Sequence, residues 1–223
     1  MIRMIPVLLR GIGQVVLQGN AVSGLLMLAA ILADSWQAGL LALGGCLVGT
    51  LTACLLRCDE ADIRQGLYGF NATLVGLAAA VFLRFSPAGL LVAALFAALS
   101  AVVTRLFFMQ KRVPAFTAPF ILCTWCMLAL CAAFLPETLM VRAAAAPSAA
   151  PLDVIRAAGA GIGQVMFRAS TGVGLLFLMA ILVNSWSAAL YALLGLFVSL
   201  QVDDIHLDTV PVGLSNRGRI AVR

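Results

Sequence analysis

Six stretches of this chain contain no Asp, Glu, Lys or Arg: Gly11–Ala33, Ser35–Leu56, Gln65–Leu83, Phe85–Thr104, Val113–Pro136 and Ala169–Val202. An α-helix rises about 1.5 Å per residue, so roughly 20 apolar residues cross the ~30 Å hydrocarbon layer of a bilayer. The first five stretches have that length; the sixth is too long for one span and is expected to fold back near Asn184-Ser185-Trp186. Hydrocarbon offers no water to backbone N–H and C=O groups, and runs of this length satisfy them as helices. The pattern predicts an all-α, polytopic membrane protein with about seven or eight membrane segments, some of them half-length. Composition agrees: 10% of the 223 residues are charged and 63% hydrophobic, against roughly 25% charged in soluble domains.

The net charge is +5, but the basic residues sit at segment ends, where they snorkel and set topology. No nucleic-acid partner is expected; the partner is the lipid bilayer. The group Arg105, Lys111 and Arg112 is expected to face the cytoplasm. No small-residue cleavage site precedes the first apolar stretch, and no removable signal peptide is expected. Five of the six cysteines lie inside apolar stretches and read as small hydrophobes. Cys123 and Cys126 form one CxxC with no second thiol pair, and His206 is the only histidine. That pattern predicts no metal site, no cofactor and no enzyme, because Ser–His pairs, paired acids and His-rich ligand sets are missing.

A shift of 150 residues lays one part of the chain on another: 19 of the 35 positions from Gly11 to Gly45 are identical to Gly161–Gly195. Residues 1–142 read as a first transmembrane repeat, 143–151 as a Pro- and Ala-rich linker, 152–207 as a partial second repeat, and 208–223 as a polar tail. The first unit is expected to hold five crossings plus a half-length piece. An odd number makes the two copies antiparallel, with a solute pathway at their pseudo-two-fold axis lined by tilted half-helices. The second copy has no counterpart of Leu67-Tyr68-Gly69-Phe70-Asn71. The reading frame is therefore expected to be shortened or frame-shifted relative to a complete two-repeat transporter.

Two polar features stand out. Gly-Ile-Gly-Gln-Val occurs twice, placing the amides Gln14 and Gln164 at the head of apolar segments. An amide in hydrocarbon is costly unless it finds partners, so it faces a packed helix break or a wet cavity. Gly66-Leu67-Tyr68-Gly69-Phe70-Asn71 reads as a two-glycine loop with Asn71 as the N-cap of a half-helix running to Leu83. Such a helix start inside the membrane would turn N–H groups and the positive end of its dipole toward a solute carbonyl. The competing reading places Tyr68 and Phe70 in an interfacial aromatic belt.

Taken in order, Gly11–Val15, Ser35-Trp36, Leu67–Asn71, Phe116-Thr117-Ala118-Pro119-Phe120 and the second Gly161–Val165 resemble the urea transporter family over nearly all of residues 5–205. The resemblance implies a channel-like homotrimer in the cell membrane, the inner membrane in a Gram-negative cell, passing urea down its gradient. It implies that Gln14 and Gln164 bond urea N–H groups at two outer sites. Leu17, Phe70 and Leu74 match the residues that sandwich urea at one of them, and Val165 and Phe167 match part of the other. Thr117 matches the threonine of the narrow middle. Leu17 departs from the family, where an aromatic is commoner. A non-conducting transporter fragment, or a channel for another small neutral amide or ammonia, are the alternatives.

Overall fold

The computed structural model describes residues 3–110, 112–140, 162–163, 166–167 and 170–195. Helix α1, Met4–Gly13, runs into one 3-10 turn, Gln14–Val16, and stops where Leu17 takes the left-handed conformation at φ 60°. Helix α2, Ala21–Asp34, then leaves at 77°. The first charge-free stretch is thus a bent pair, not a straight span. Glycine permits the bend: a Cβ on Gly24 would lie 1.7 Å from the Leu9 carbonyl oxygen, and one on Gly13 would lie 2.4 Å from that of Gln18. Helices α3, Trp36–Leu55, and α6, Pro87–Gln110, are each long and apolar enough to cross a membrane. Between them lie the short α4, Glu60–Arg64, and α5, Gly69–Phe82. Helix α7, Ala118–Phe134, is followed by α8, Thr171–Asn184, and α9, Trp186–Gly195. Counting the bent pair once, seven apolar segments fall within the described residues, and the last long charge-free stretch is interrupted at Ser185.

Helix α5 is the centre of the bundle. Its 14 residues rise about 21 Å, short of the ~30 Å hydrocarbon layer. Twelve of them are buried, the polar Asn71 and Thr73 included, as suits a helix surrounded by protein. It packs on α3 through small residues. A Cβ on Gly45 would lie 2.3 Å from the Ala72 oxygen, and one on Gly76 would lie 2.0 Å from the Leu41 oxygen. Where lipid and side chains are equally apolar, close backbone approach of this kind supplies the packing that holds helices together.

The internal repeat is visible in the backbone. Helices α2 and α8 begin and end 150 residues apart. The residues preceding them, Asn20 and Ser170, have φ,ψ of −107°,129° and −108°,132°, and Leu17 and Phe167 share φ 60°. Ser35 and Ser185 both interrupt the chain and cap the next helix, accepting from Ala38 N–H at 3.3 Å and Ala188 N–H at 3.2 Å. The two equivalent helices pack antiparallel. Ser23, near the start of α2, donates to the Ala180 carbonyl near the end of α8 at 2.6 Å, and Asn184 donates to the side chain of Gln18. Met27 and Phe177, equivalent by the repeat, are both fully buried in the cluster between them.

The bundle has two chemically different ends. Trp36 meets Phe85 edge-on at 5.2 Å, so α3 and α6 start together, beside Asp34, Arg84 and Glu137. Arg84 N–H donates to the Thr138 oxygen there. At the other end Tyr68 meets Phe108 at 5.5 Å, and Val7, Ala53 and Ile63 join the same cluster. Around that cluster lie Arg3, Arg10, Arg57, Arg64, Arg105 and Arg112 against Asp59, Glu60 and Asp62.

Candidate solute pathway

Gln14 sits at the break between α1 and α2, half-buried, and its Nε2 donates to the Gln65 carbonyl at 3.2 Å. The bond fixes the amide against the loop that leads into α5. It spends one N–H and turns the amide oxygen into the available acceptor of the side chain. The chains cross closely beneath it, since a Cβ on Gly66, at φ 80°, would lie 2.3 Å from Gly11 N.

Asn71 does not cap its own helix. Helix α5 starts at Gly69 after Tyr68, without a side-chain cap, and the N–H groups of Gly69 and Phe70 donate back to the Gly66 oxygen at 3.1 and 3.3 Å. The first donors of this helix are therefore engaged by its own loop. Asn71, two residues further in and fully buried, serves its neighbours instead. Its Nδ2 donates to the Phe116 carbonyl at 3.1 Å and Thr104 Oγ1 at 3.4 Å, and its Oδ1 accepts from Phe120 N–H at 3.2 Å. It thus caps α7, satisfying one of the orphan donors of that helix's first turn. The same contacts hold Phe116 in its left-handed turn, φ 39°. Tyr68 and Phe70 are buried, which removes them from an interfacial belt.

Phe70 and Leu74 lie four residues apart on α5, on one face, and both are buried. Leu74 joins the cluster that takes in Val15, Phe120 and Met166. Phe120 meets Phe167 edge-on at 6.1 Å. Three regions therefore converge: the head of α5, the head of α7 and the turn at Phe167. Thr117 precedes α7 and is exposed, and Leu17 is 75% exposed at the break. Gln164 and Val165 lie outside the described residues. The sequence reading missed Phe120, which links Asn71 to Phe167, and the Gln18–Asn184 bond. Both residues of that bond differ from their repeat equivalents, Arg168 and Asp34, so a search for repeated motifs passes over them.

Among the described residues, those of this region that come from the repeat and from α5 and α7 are amides, a hydroxyl and hydrocarbons, without an ionised group. The described ionised groups lie at the two ends of the bundle, most of them at the basic one. There Asp59 caps α4, and Arg64 binds Glu60 at 2.6 Å, holding that carboxyl below its ordinary range. Burial, followed by the neighbouring Asp59, pushes Asp62 up.

The fold and this interior define the class: a polytopic helical membrane protein with a duplicated segment, a broken helix in its first copy, and neutral polar groups buried among the described residues. The profile of the urea transporter family matches residues 5–208, and the chain belongs to that family, one of transporters and not of enzymes. It is similar to urea transporter 1 of Rattus norvegicus, 32% identical over 207 residues that cover 84% of this chain and 53% of the relative. Urea transporter 1 of Mus musculus is 31% identical with the same coverage. That of Ovis aries is 31% identical over 217 residues, covering 87% of this chain and 55% of the relative. The chain spans about half the length of the relatives it matches.

Proposed function

We propose that this chain conducts urea passively across the cell membrane through a narrow slot with apolar walls and amide edges. The observation that carries the reading is Gln14, whose amide is fixed at a helix break by the Gln65 carbonyl beside the buried, half-length α5. Its oxygen suits the N–H edge of urea. Phe70, Leu74 and Leu17 supply apolar faces at this site; Gln164, Val165 and Phe167 form the mirrored one, and Thr117 lines the narrow middle. A slot of this kind rejects hydrated ions, because stripping their water costs far more than the slot returns, whereas planar, neutral urea keeps hydrogen bonds along its edges. The antiparallel contact of α2 with α8 supports an inverted repeat, residues 1–142 against 152–207, with the pathway at its axis. Assembly as a homotrimer, in the inner membrane of a Gram-negative cell, completes the proposal.

Stopped-flow urea equilibration in proteoliposomes containing the 223-residue chain tests it against empty liposomes and a full-length relative. Rapid flux, competed by thiourea, is the expected result. Background flux from folded, inserted protein would reject conduction and leave a non-conducting member of the family. Flux of ammonia or other amides without urea flux would redirect the substrate.

A further inference from the structure

We propose that a cavity at the basic end, lined by Arg3, Pro6, Val7, Arg10 and Arg64, binds the phosphate of an anionic phospholipid headgroup. The cavity measures about 400 Å³ and draws its arginines from two elements, the entry and body of α1 and the last residue of α4. Their positions are set by hydrogen bonds: Arg64 grips Glu60 through Nε at 3.1 Å and Nη2 at 2.6 Å, and its backbone oxygen accepts from Arg10 Nη1 at 3.1 Å. Glu60 thereby offsets the charge of Arg64. Arg3 and Arg10 form no ion pair among the described residues, so two uncompensated guanidinium charges converge on one concavity. Guanidinium groups match phosphate oxygens in a planar, two-pronged way, which makes a phosphate-bearing anion the chemistry this site takes.

The surroundings select a lipid over a free anion. Two of the five lining residues, Pro6 and Val7, are apolar, and the adjoining Ile5 is 74% exposed on the first arm of the bent membrane element. A free anion gains nothing from that surface. A phospholipid sets its phosphate among the arginines and its chains along Ile5. Arg57, Arg105 and Arg112 at the same end mark it as the cytoplasmic one, where the leaflet carries anionic lipid.

Native mass spectrometry of the full chain, released from vesicles of phosphatidylcholine with phosphatidylglycerol, tests the proposal. Wild type is expected to retain phosphatidylglycerol over phosphatidylcholine. The R3Q/R10Q variant should bind it about fivefold more weakly per arginine removed, with Arg105→Gln, outside the cavity, unchanged. Arg3→Gln alone, at an exposed position, serves if the double variant does not fold. Equal retention by wild type and variants, or an equal loss in Arg105→Gln, overturns the site. Inorganic phosphate is the second arm: thermal protection matching that of phosphatidylglycerol would make the ligand a free anion and overturn the lipid assignment.

Discussion

Asn71 illustrates how one buried amide can tie together three elements. Its side chain joins α5 to Thr104 on α6 and to both sides of the turn entering α7. Asn71→Ala leaves the Phe120 N–H and the Phe116 carbonyl without that partner, each worth about 1–3 kcal/mol when buried. The expected outcome is a melting temperature in detergent lowered well beyond that of a surface substitution, with Asn71→Asp failing to rescue it because a carboxylate cannot donate to Phe116. Gln14 and Phe70 act differently, since they belong to the proposed slot. Gln14→Ala and Phe70→Ala should each cut urea flux, the first through the lost acceptor and the second through the lost apolar face, and unchanged flux in both would reject the slot. Gln14 was legible in the sequence because the motif holding it is written twice. The role of Asn71 was not, because an asparagine after two glycines reads as a local cap and its true partners lie 33 to 49 residues further along the chain.

At the scale of elements, the run of apolar helices and the break before Trp186 followed from the charge-free windows, whereas fewer of those helices than the expected five crossings in the first unit are long enough to span a membrane. The 77° break inside the first window did not follow from the windows. Charge-free length reports polarity and is silent on backbone direction, and the break is executed by Leu17, a residue with no sequence preference for φ 60°. What makes the break tolerable is glycine at the contact between its two arms. A Cβ on Gly24 would meet the Leu9 oxygen at 1.7 Å and the Gly13 nitrogen at 3.2 Å, all backbone atoms that cannot rotate aside. Gly24→Ala should therefore open the bend and reduce the yield of monodisperse protein sharply, as overpacking against backbone costs about 1–3 kcal/mol or more. Gly44→Ala is the matched control, for its Cβ would meet nothing within 4 Å. Relieved of glycine in a helix interior, that variant should melt slightly higher, by the equivalent of about 0.5–1 kcal/mol. Size-exclusion traces after graded heating separate the two.

For the whole molecule, the asymmetry of charge decides more than the total. The sequence shows basic residues scattered along its length, and among the described residues the fold gathers six arginines at one end and sets Arg84, with Asp34 and Glu137, at the other. The parallel course of α3 and α6, fixed by the Trp36–Phe85 contact, is what sorts them. An excess of Lys and Arg near membrane segments is retained on the cytoplasmic side, so the loop around Ser86 should face outward and the loop around Arg112 inward. The duplicated unit adds a constraint, because α2 and α8 run antiparallel with seven of their 14 positions identical. Two helices in opposite orientations cannot both be oriented by residues they share, and the bias has to come from positions where they differ. Ser86→Cys and Arg112→Cys, each introduced singly, measure the result. A membrane-impermeant maleimide applied to intact cells should label the first and label the second only after permeabilisation. The reverse pattern would turn the molecule over, and it would move the arginine-lined cavity to the outer leaflet.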